Sequence, residues 1–235
     1  MASIDGSRIL LFSSGIDSLV AWYFLDKPLC LHITSHSRYS DKELMCIYEH
    51  EDWHPELNVE IVELECLRKF EEADANIPSR NSFFAHIGAL YADTIYLVCQ
   101  RGEQTIPDRS PKFFEDISAL LSYLHGRPKR VDTVFSEMTK QDMVAWALSK
   151  RVSKEELWST YSCFSAEPGR CGRCKACLRT AVALDYNNIL PDNFFNHDIW
   201  EWGGWQDYRV GIESGNMEER RALQMREVMV RRGIW

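Results

Sequence analysis

Short apolar runs alternate with longer amphipathic stretches through the first two thirds of the chain. The apolar runs predict buried strands at residues 8–12, 29–34, 58–64, 94–99 and 131–135. The stretches between them have helical periodicity and predict helices at residues 18–25, 41–50, 81–92, 111–124 and 138–149. Strands that alternate with helices are typical of parallel βαβ units. The pattern therefore predicts an α/β fold, with one parallel sheet covered by helices on both faces in the Rossmann-like manner.

The pattern changes after residue 160. A cysteine-rich segment precedes a helix that runs through residue 190, and an aromatic stretch follows at residues 194–208. A last amphipathic helix is predicted at residues 217–232, with the apolar face of a docking or dimer helix. We expect the aromatic residues to pack on the core or on a subunit interface, so a homodimer is one expected assembly.

Two domains follow from this change of pattern. An α/β domain is expected at residues 1–160, and a cysteine segment with a C-terminal helical tail at residues 161–235.

Several helix starts carry a recognisable cap. A small polar residue followed three positions later by an acidic one is close to the capping-box pattern, in which each side chain bonds the other's backbone. The pattern occurs at Thr139 with Asp142, at Ser153 with Glu156 and at Asn216 with Glu219. Asn81 is the expected N-cap of the helix at residues 81–92.

Composition narrows the class of protein. The chain has 235 residues, 45% of them hydrophobic, and a formal net charge of −8. Duplex nucleic-acid binders usually present a basic face, so we expect no direct nucleic-acid partner. Residues 1–12 lack a secretory pattern, and no apolar run is long enough to span a membrane, so we expect a cytoplasmic protein with no membrane partner. In such a reducing compartment, the eight cysteines favour free thiols or metal ligands over disulfides.

A short loop of small residues links the first predicted strand to the first predicted helix. Backbone N–H groups at the start of a helix, together with the helix dipole, favour a phosphate or pyrophosphate there. The residues proposed to bind the nucleotide are Phe12, Ser13, Ser14, Gly15, Ile16, Asp17 and Ser18. Asp17 is also a candidate ligand for Mg²⁺, which binds through one or two carboxylates plus phosphate oxygens. The loop lacks the Gly-Lys-Ser/Thr of a Walker P-loop, and it resembles the SGGxDS loop of ATP pyrophosphatases.

Four of the eight cysteines form the strongest chemical signal. Cys163, Cys171, Cys174 and Cys177 fall within one short segment, and the last three have the C-x-x-C spacing of metal sites. Tetrahedral thiolate coordination suits Zn²⁺, and four thiolates complete its coordination, so the site is expected to be structural. An iron–sulfur cluster also takes four cysteines and stays open as the alternative.

The order of motifs along the chain resembles one enzyme family. The segments are the loop at 13–18, I-P-S-R-N at 77–81, I-P-D at 106–108 with Pro111 and Phe113, M-T-K at 138–140, and S-C-F at 162–164 with the following cysteines and Arg179. They are similar to the nucleotide loop and to the P-G-R-N, Y-P-D-C-R-P-x-F, M-[TS]-K and S-C-Y…C-G-x-C-x-x-C-x-x-R segments of the 7-cyano-7-deazaguanine (preQ0) synthases. These enzymes are a branch of the ATP pyrophosphatase (PP-loop) superfamily. The resemblance covers about residues 8–185 and identifies the chain as a diverged member.

The resemblance implies a fold, a reaction and a set of site residues. The implied fold is that of the adenine nucleotide alpha hydrolases. The implied reaction converts 7-carboxy-7-deazaguanine and ammonia to the nitrile through an adenylate and an amide, with ATP, Mg²⁺ and Zn²⁺ as cofactors. Asp17, Arg80 and Lys140 are the implied catalytic residues. The implied substrate-binding residues are Arg80, Asn81, Asp108 and Arg109.

The chain also departs from the family pattern. Ser14 replaces a glycine of the loop, and residues 100–110 differ from the family's D-Y-S-G-Y-P-D-C-R stretch, with Arg109 one position early. That stretch borders the acid substrate in the family. Two alternatives therefore stay open: an adenylating enzyme with another acid, end product or acceptor, as in viral DNA modification or defence, and a non-catalytic zinc module that binds nucleic acid.

A further motif is interpreted as an accidental match. Residues 50–54 fit H-E-x-x-H, the pattern of zinc proteases. Pro55 ends the helix directly after it, and the stretch lacks the apolar periodicity of a buried zinc-binding helix. We therefore expect both histidines to lie at a solvated helix end.

Overall fold

The computed structural model describes residues 8–73 and 75–235. Five parallel strands form a single sheet in the order β3-β2-β1-β4-β5. The strands are β1 (Arg8–Leu11), β2 (Leu29–Thr34), β3 (Val59–Glu63), β4 (Thr94–Tyr96) and β5 (Arg130–Asp132). The chain moves outward from β1 to β2 and β3, then returns to place β4 on the other side of β1. A topological switch point therefore lies between β1 and β4, where α/β sheets bind their ligands.

Within the described residues, nine α-helices lie between the strands or follow the last of them. They are α1 (Ile16–Phe24), α2 (Ser40–Trp53), α3 (Arg80–Tyr91), α4 (Pro111–His125), α5 (Lys140–Ser149), α6 (Lys154–Ser159), α7 (Lys175–Tyr186), α8 (Trp205–Glu213) and α9 (Glu219–Arg231). The predicted α/β class with a parallel sheet and a C-terminal helix is confirmed. Within the described part of the chain, no helix combines the length and apolar character needed to cross a bilayer.

Alternate residues of β1 face opposite layers of helices. Leu10 packs into a hydrophobic cluster with residues of α1 and α5, whereas Ile9 and Leu11 belong to a second cluster with residues of α3 and α4. The twofold periodicity of a strand buried on both faces produces this arrangement. The sheet therefore holds the ends of its strands rigidly, and the site is built at those ends.

A third hydrophobic cluster lies in the C-terminal part of the chain. It joins three of the four clustered cysteines to apolar side chains of α7, α8 and α9, including Leu178, Trp205 and Met229. The helix α7 also contributes Ala183 and Leu184 to the cluster of α1 and α5, so it packs in both hydrophobic clusters. The division at residue 160 stays a prediction.

Two strands are shorter than the sequence pattern predicts. The strands β4 and β5 were expected to run through residues 99 and 135, but their ladder ends at Tyr96 and Asp132. Beyond that point the hydroxyl Oγ1 of Thr133 accepts from the Cys99 N–H at 2.9 Å and donates to the Cys99 carbonyl. The Thr133 side chain thus interrupts the backbone ladder, and the two segments pair once more at Gln100 and Phe135, where the site begins.

The structure moves several predicted helix starts. The capping boxes of Thr139 with Asp142 and of Ser153 with Glu156 are confirmed. The expected pair of Asn216 and Glu219 is wrong, because Glu218 caps α9 by accepting from the Arg220 and Arg221 N–H groups.

Asn81 is not an N-cap either. The helix α3 begins at Arg80 after Ser79, which is in the left-handed conformation. The side chain of Asn81 is therefore released from capping and bonds elsewhere. The helix α8 within the aromatic stretch was not predicted.

Candidate active site and metal centre

A large cavity opens at the carboxyl ends of β1, β2 and β4. Its volume is approximately 780 Å³, and its wall includes both the loop after β1 and the cysteine segment. Of the predicted site residues, those in the wall are Phe12, Ser13, Gly15, Asp17, Ser18, Arg80, Asn81, Arg109, Lys140, Cys163, Cys171 and Cys174. The fold therefore brings most of the sequence prediction to a single cavity.

The loop after β1 is closed by its own hydroxyl groups. The Ser18 hydroxyl donates to the Gly15 carbonyl at 2.9 Å and accepts from the Ser13 N–H at 3.2 Å. Gly15 is the N-cap of α1 and makes no side-chain cap, so the first N–H groups of the helix stay available to a ligand. A Cβ added to Gly15 would lie 3.1 Å from the Ser162 hydroxyl, which favours glycine here.

Two predicted members of the loop do not face the cavity in the described structure. Ile16 is fully buried in the hydrophobic cluster of α1. Ser14 is also buried, and its carbonyl accepts from the Tyr161 N–H at 3.0 Å. Ser14 and Ile16 therefore shape the loop, and the groups that face the cavity are its neighbours.

Asp17 sits between two polar side chains from distant elements. Its Oδ1 lies 3.0 Å from Nζ of Lys140, and its Oδ2 accepts from Nε2 of Gln100 at 2.5 Å. Lys140 opens α5 directly after the cap Thr139, and its side chain is nearly buried. Gln100 follows β4 and was not a predicted site residue, although its place at the end of a central strand is the signal that points to it.

A buried carboxylate organises the arginines of the site. Glu103 is 4% exposed, and its Oε1 lies 2.8 Å from Nη1 of Arg109 and 3.3 Å from Nη1 of Arg179. Burial alone would raise the pKa of Glu103, but the two arginines and the Gln100 N–H outweigh burial and lower the pKa. Glu103 is therefore ionised and fixes both guanidinium groups at the cavity. Neither Glu103 nor a role for Arg179 was predicted from the sequence.

The predicted acid-binding residues occupy different positions around the cavity. Arg80 and Asn81 line it from the first turn of α3, and Arg80 Nη1 donates to the Tyr39 hydroxyl at 3.3 Å. Asn81 Nδ2 donates to the main-chain carbonyl of Asp108 at 3.2 Å. Asp108 is absent from the described cavity wall, so its main chain orients Asn81 while Arg109 next to it reaches the cavity.

The four cysteines of the segment converge on one point. The sulfur atoms of Cys163, Cys171, Cys174 and Cys177 all lie within 4.8 Å of one another. The chain turns at Gly172, whose φ is +71°. A Cβ at this position would collide with the His197 carbonyl, so the turn requires glycine.

Backbone N–H groups prepare the sulfur atoms for a cation. Ser165 and Cys171 N–H groups each donate to Cys163 Sγ at 3.4 Å, and Cys177 N–H donates to Cys174 Sγ at 3.4 Å. Hydrogen bonds with Cys174 and Cys177 lower the pKa of the Cys163 thiol, whereas burial raises the pKa of Cys171 and the hydrogen bond with Cys163 raises that of Cys177. The backbone N–H donors favour a thiolate at Cys163 and Cys174, the form that binds metals.

The sulfur separations suit a single small ion. With Zn–S bonds of about 2.3 Å, a regular tetrahedron places its sulfur atoms about 3.8 Å apart. The Cys171 and Cys177 sulfur atoms are 3.9 Å apart. An iron–sulfur cluster interposes iron and sulfide between its thiolates and holds them farther apart. The four-cysteine cluster can therefore hold a metal ion such as zinc.

The histidines of the H-E-x-x-H match are engaged separately and are not solvated. His50 is fully buried, and its Nε2 lies 3.4 Å from the Ser159 hydroxyl. His54 Nε2 instead lies 3.2 Å from Oε2 of Glu156. The expected solvated helix end is wrong, because α6 packs over this part of α2.

Comparisons with known proteins agree with the motif order. The family model described as "Queuosine biosynthesis protein QueC" matches residues 56–188. A 7-cyano-7-deazaguanine synthase of Desulforamulus reducens is 29% identical over 130 residues, which cover 52% of this chain and 55% of that protein. The chain thus spans about half the length of that relative.

Two other 7-cyano-7-deazaguanine synthases match over a longer part of the chain. The 7-cyano-7-deazaguanine synthase of Methanobrevibacter smithii is 26% identical over 182 residues, which cover 73% of each chain. That of Nitratiruptor sp. is 24% identical over 204 residues, which cover 72% of this chain and 89% of that protein. Since the family model alone covers more than half of the 235 residues, the chain belongs to the QueC family of queuosine biosynthesis proteins.

Proposed function

We propose that this protein converts 7-carboxy-7-deazaguanine and ammonia to 7-cyano-7-deazaguanine at the expense of ATP. The observation that carries the proposal is the grouping in one cavity of a helix N-terminus, an acid–lysine pair and a set of arginines. The loop at residues 13–18 supplies the helix N-terminus, and Asp17 with Lys140 supplies the pair. Arg80, Arg109 and Arg179 supply the cations. The names of the relatives support the choice of a deazaguanine acid.

The chemistry requires the same kind of step twice. A carboxylate oxygen of the acid attacks the α-phosphorus of ATP, and pyrophosphate leaves with the electron pair of the broken P–O bond. Ammonia then attacks the acyl carbon, AMP leaves, and one proton is lost to give the amide. In the second round the amide oxygen attacks the α-phosphorus of another ATP and pyrophosphate leaves, after which loss of AMP and two protons gives the nitrile. In each round, negative charge on the leaving phosphates is the quantity to be stabilised.

The residues of the cavity fit these requirements. N–H groups at the start of α1 and the ammonium of Lys140 would bind the phosphate oxygens, as such groups do at phosphate sites. Asp17 is the residue that would hold Mg²⁺, which neutralises phosphate charge when bound. Lys140 carries its cation in the first turn of a helix, where the dipole is unfavourable, so a phosphate partner offsets that cost. The cysteine cluster would hold Zn²⁺ in a structural role.

One observation favours a related reaction as a second candidate. Residues 100–110 differ from the family pattern, and Arg109 within them is already engaged by Glu103. An arginine held by a buried carboxylate has fewer donors left for an acid substrate. The second candidate is therefore an adenylating enzyme that stops at the amide or uses another acid or acceptor.

A single incubation tests both candidates. The purified protein is mixed with ATP, Mg²⁺, ammonium and 7-carboxy-7-deazaguanine, and products are followed by mass analysis and by pyrophosphate release. We expect the nitrile, with two pyrophosphates released per nitrile formed. Accumulation of amide alone favours the second candidate. Untouched acid with no acid-dependent pyrophosphate contradicts the deazaguanine assignment.

The variant Asp17→Asn tests the proposed role of Asp17. It removes the negative charge between Lys140 and Gln100 without changing the shape of the side chain. We expect pyrophosphate release to fall at least about a hundredfold, as for other single groups that stabilise transition-state charge. Asp26→Asn, on the exposed turn after α1, is the control and should retain activity. Near-normal turnover by folded Asp17→Asn protein contradicts the assigned role of Asp17.

A further inference from the structure

A part of the cavity wall that the proposed chemistry does not use comes from the start of α2. Tyr39, directly before α2, and Glu43, in its first turn, both line the cavity beside Arg80 of α3. Tyr39 is 5% exposed and is fixed by the hydrogen bond from Arg80 Nη1 to its hydroxyl. The wall here is therefore ordered before any ligand binds.

Glu43 has an unsatisfied carboxyl group. Among the described residues, its carboxyl oxygens make no hydrogen bond and no ion pair, although Arg80 attracts them electrostatically. Burial raises the pKa of Glu43 to about 8, and Arg80 offsets only part of that effect. Glu43 lines the cavity and its oxygens have no donor in the described part of the chain, so they are free to accept hydrogen bonds from a ligand. A ligand that satisfies Glu43 must present N–H or O–H groups to it.

Four flat side chains line the same cavity as this carboxyl group. The Tyr39 ring lies 5.7 Å from the Phe164 ring, centroid to centroid, and the Arg80 guanidinium lies 5.7 Å from the centre of the Phe84 ring. Aromatic faces and a guanidinium plane bind flat heteroaromatic rings by stacking. A flat ring with donor groups along one edge therefore matches this wall.

We propose that the Glu43 carboxylate recognises the guanine-type edge of the substrate, by accepting from its ring N–H and its exocyclic 2-amino group. The N–H donors of the ligand favour the ionised form of Glu43, so binding lowers its raised pKa. The resulting carboxylate has two parallel acceptor oxygens, which match two adjacent N–H groups as they match the arginine fork. The corresponding edge of adenine carries an acceptor at the ring nitrogen and would repel a carboxylate. Glu43 thus distinguishes the deazaguanine from the adenine of ATP. The inference rests on the proposed function, because it takes the deazaguanine acid as substrate.

The test uses two ligands that differ by one amino group. Binding of 7-carboxy-7-deazaguanine and of its analogue lacking the 2-amino group is measured by calorimetry without ATP. Wild-type protein is expected to bind the amino compound at least about tenfold more tightly, as for a good bidentate base contact. In Glu43→Gln, the amide NH₂ faces the donors of the ligand, and the preference should fall to within about twofold. Glu49→Gln, on the exposed face of the same helix, should keep the wild-type preference.

The variant is not expected to fail in folding, since it removes a carboxyl group that has no hydrogen bond to lose. Thermal melting checks this point, and the wild-type preference is informative without any variant. Equal binding of the two ligands by wild-type protein, or an unchanged preference in Glu43→Gln, overturns the role of Glu43. The KM for ATP, from the pyrophosphate assay, should stay within about twofold in Glu43→Gln, and a selective rise in that KM would assign Glu43 to the nucleotide instead.

The two proposals fail in different ways. Ligand preference judges Glu43 by binding alone, whereas acid-dependent pyrophosphate release judges the reaction. A protein that prefers the amino compound and releases no pyrophosphate supports Glu43 and contradicts the proposed function. A protein that turns over both acids equally well contradicts Glu43 and leaves the proposed function standing.

Discussion

Ser14 takes the place of a glycine in the loop and keeps a glycine-like backbone. Its φ is +58°, in the left-handed region, where a side chain costs about 1–2 kcal/mol. The side chain is fully buried, and its hydroxyl makes no hydrogen bond of ordinary geometry among the described residues, although it interacts weakly with the Cys46 thiol. Ser14 therefore adopts backbone angles that a glycine would take without strain.

Ser14→Gly is expected to stabilise the protein. It relieves the left-handed strain and removes a buried hydroxyl that lacks an ordinary hydrogen bond among the described residues, while glycine adds some entropy to the unfolded chain. We expect a net gain of about 1 kcal/mol, which is roughly 2–4 °C in Tm for a chain of this size. Ser14→Ala is the matched control, because it removes the hydroxyl but keeps the strained Cβ, and it should gain less. A melting temperature for Ser14→Gly at or below that of wild type contradicts this account.

The sequence could predict the site residues that belong to local motifs. Asp17 belongs to a strand–loop–helix motif, and Lys140 follows a helix cap, so both are visible in a few consecutive letters. Gln100, Glu103 and Glu43 have no such motif. Gln100 reaches Asp17 across 83 residues of sequence, and only the packing of the strands shows that contact. Their roles come from the tertiary structure.

The helix α9 holds two of the elements that build the site. Its cap residue Glu218 lies 2.7 Å from Nε of Arg101, in the loop after β4. Its buried Gln224 accepts from the Thr139 hydroxyl at 2.6 Å and donates to Asp142 Oδ1 at 2.9 Å. Thr139 and Asp142 form the capping box that places Lys140. The helix therefore fixes both partners of Asp17 through their neighbours.

Gln224→Leu should impair the proposed reaction through Lys140. It removes two hydrogen bonds to the capping box, and we expect Lys140 to lose its fixed position against Asp17. The expected result is a fall in kcat of roughly tenfold, equal to about 1.4 kcal/mol of barrier, with a smaller change in KM. Pyrophosphate release measures both constants, and thermal melting reports the accompanying loss of stability. Glu227→Leu, at an exposed position of α9, is the control.

Two results would argue against this role of α9. One is a kcat for Gln224→Leu equal to that of the control. The other is a fall in kcat that a moderate rise in protein stability, for example from lower assay temperature, restores in full. In the second case Gln224 contributes to folding alone.

Elements were predictable where local preferences and packing agree. The capping boxes of α5 and α6 are local, and each is found in the structure. The helix α8 has only 9 residues between glycine-rich turns, too short to be stable through its own propensity. It is held by packing of Trp205 against Trp200 and within the C-terminal cluster. The sequence of α8 itself contains no pattern that predicts this contact.

At the scale of the whole molecule, the cysteine segment and α7 connect the C-terminal hydrophobic cluster to the cluster of α1 and α5. Three of its cysteines are buried in the cluster formed with α7, α8 and α9. The helix α7 begins at the cysteines, carries Arg179 into the cavity and then packs on the cluster of α1 and α5. A metal ion in the segment would thus stabilise the cavity wall, the arginine and the last helix together.

Zinc removal is therefore expected to destabilise the whole C-terminal part and the site with it. We expect one zinc per chain by elemental analysis and a colourless protein, since four thiolates with this spacing suit a single tetrahedral ion. Metal affinity is part of the folding free energy, so a strong chelator or Cys171→Ser should lower Tm by at least several degrees and reduce pyrophosphate release. Cys66→Ser, which alters an exposed cysteine outside the cluster, should change neither. Iron with visible absorption contradicts zinc as the bound metal, and a metal-free protein with unchanged melting contradicts the role of an ion in fixing the start of α7.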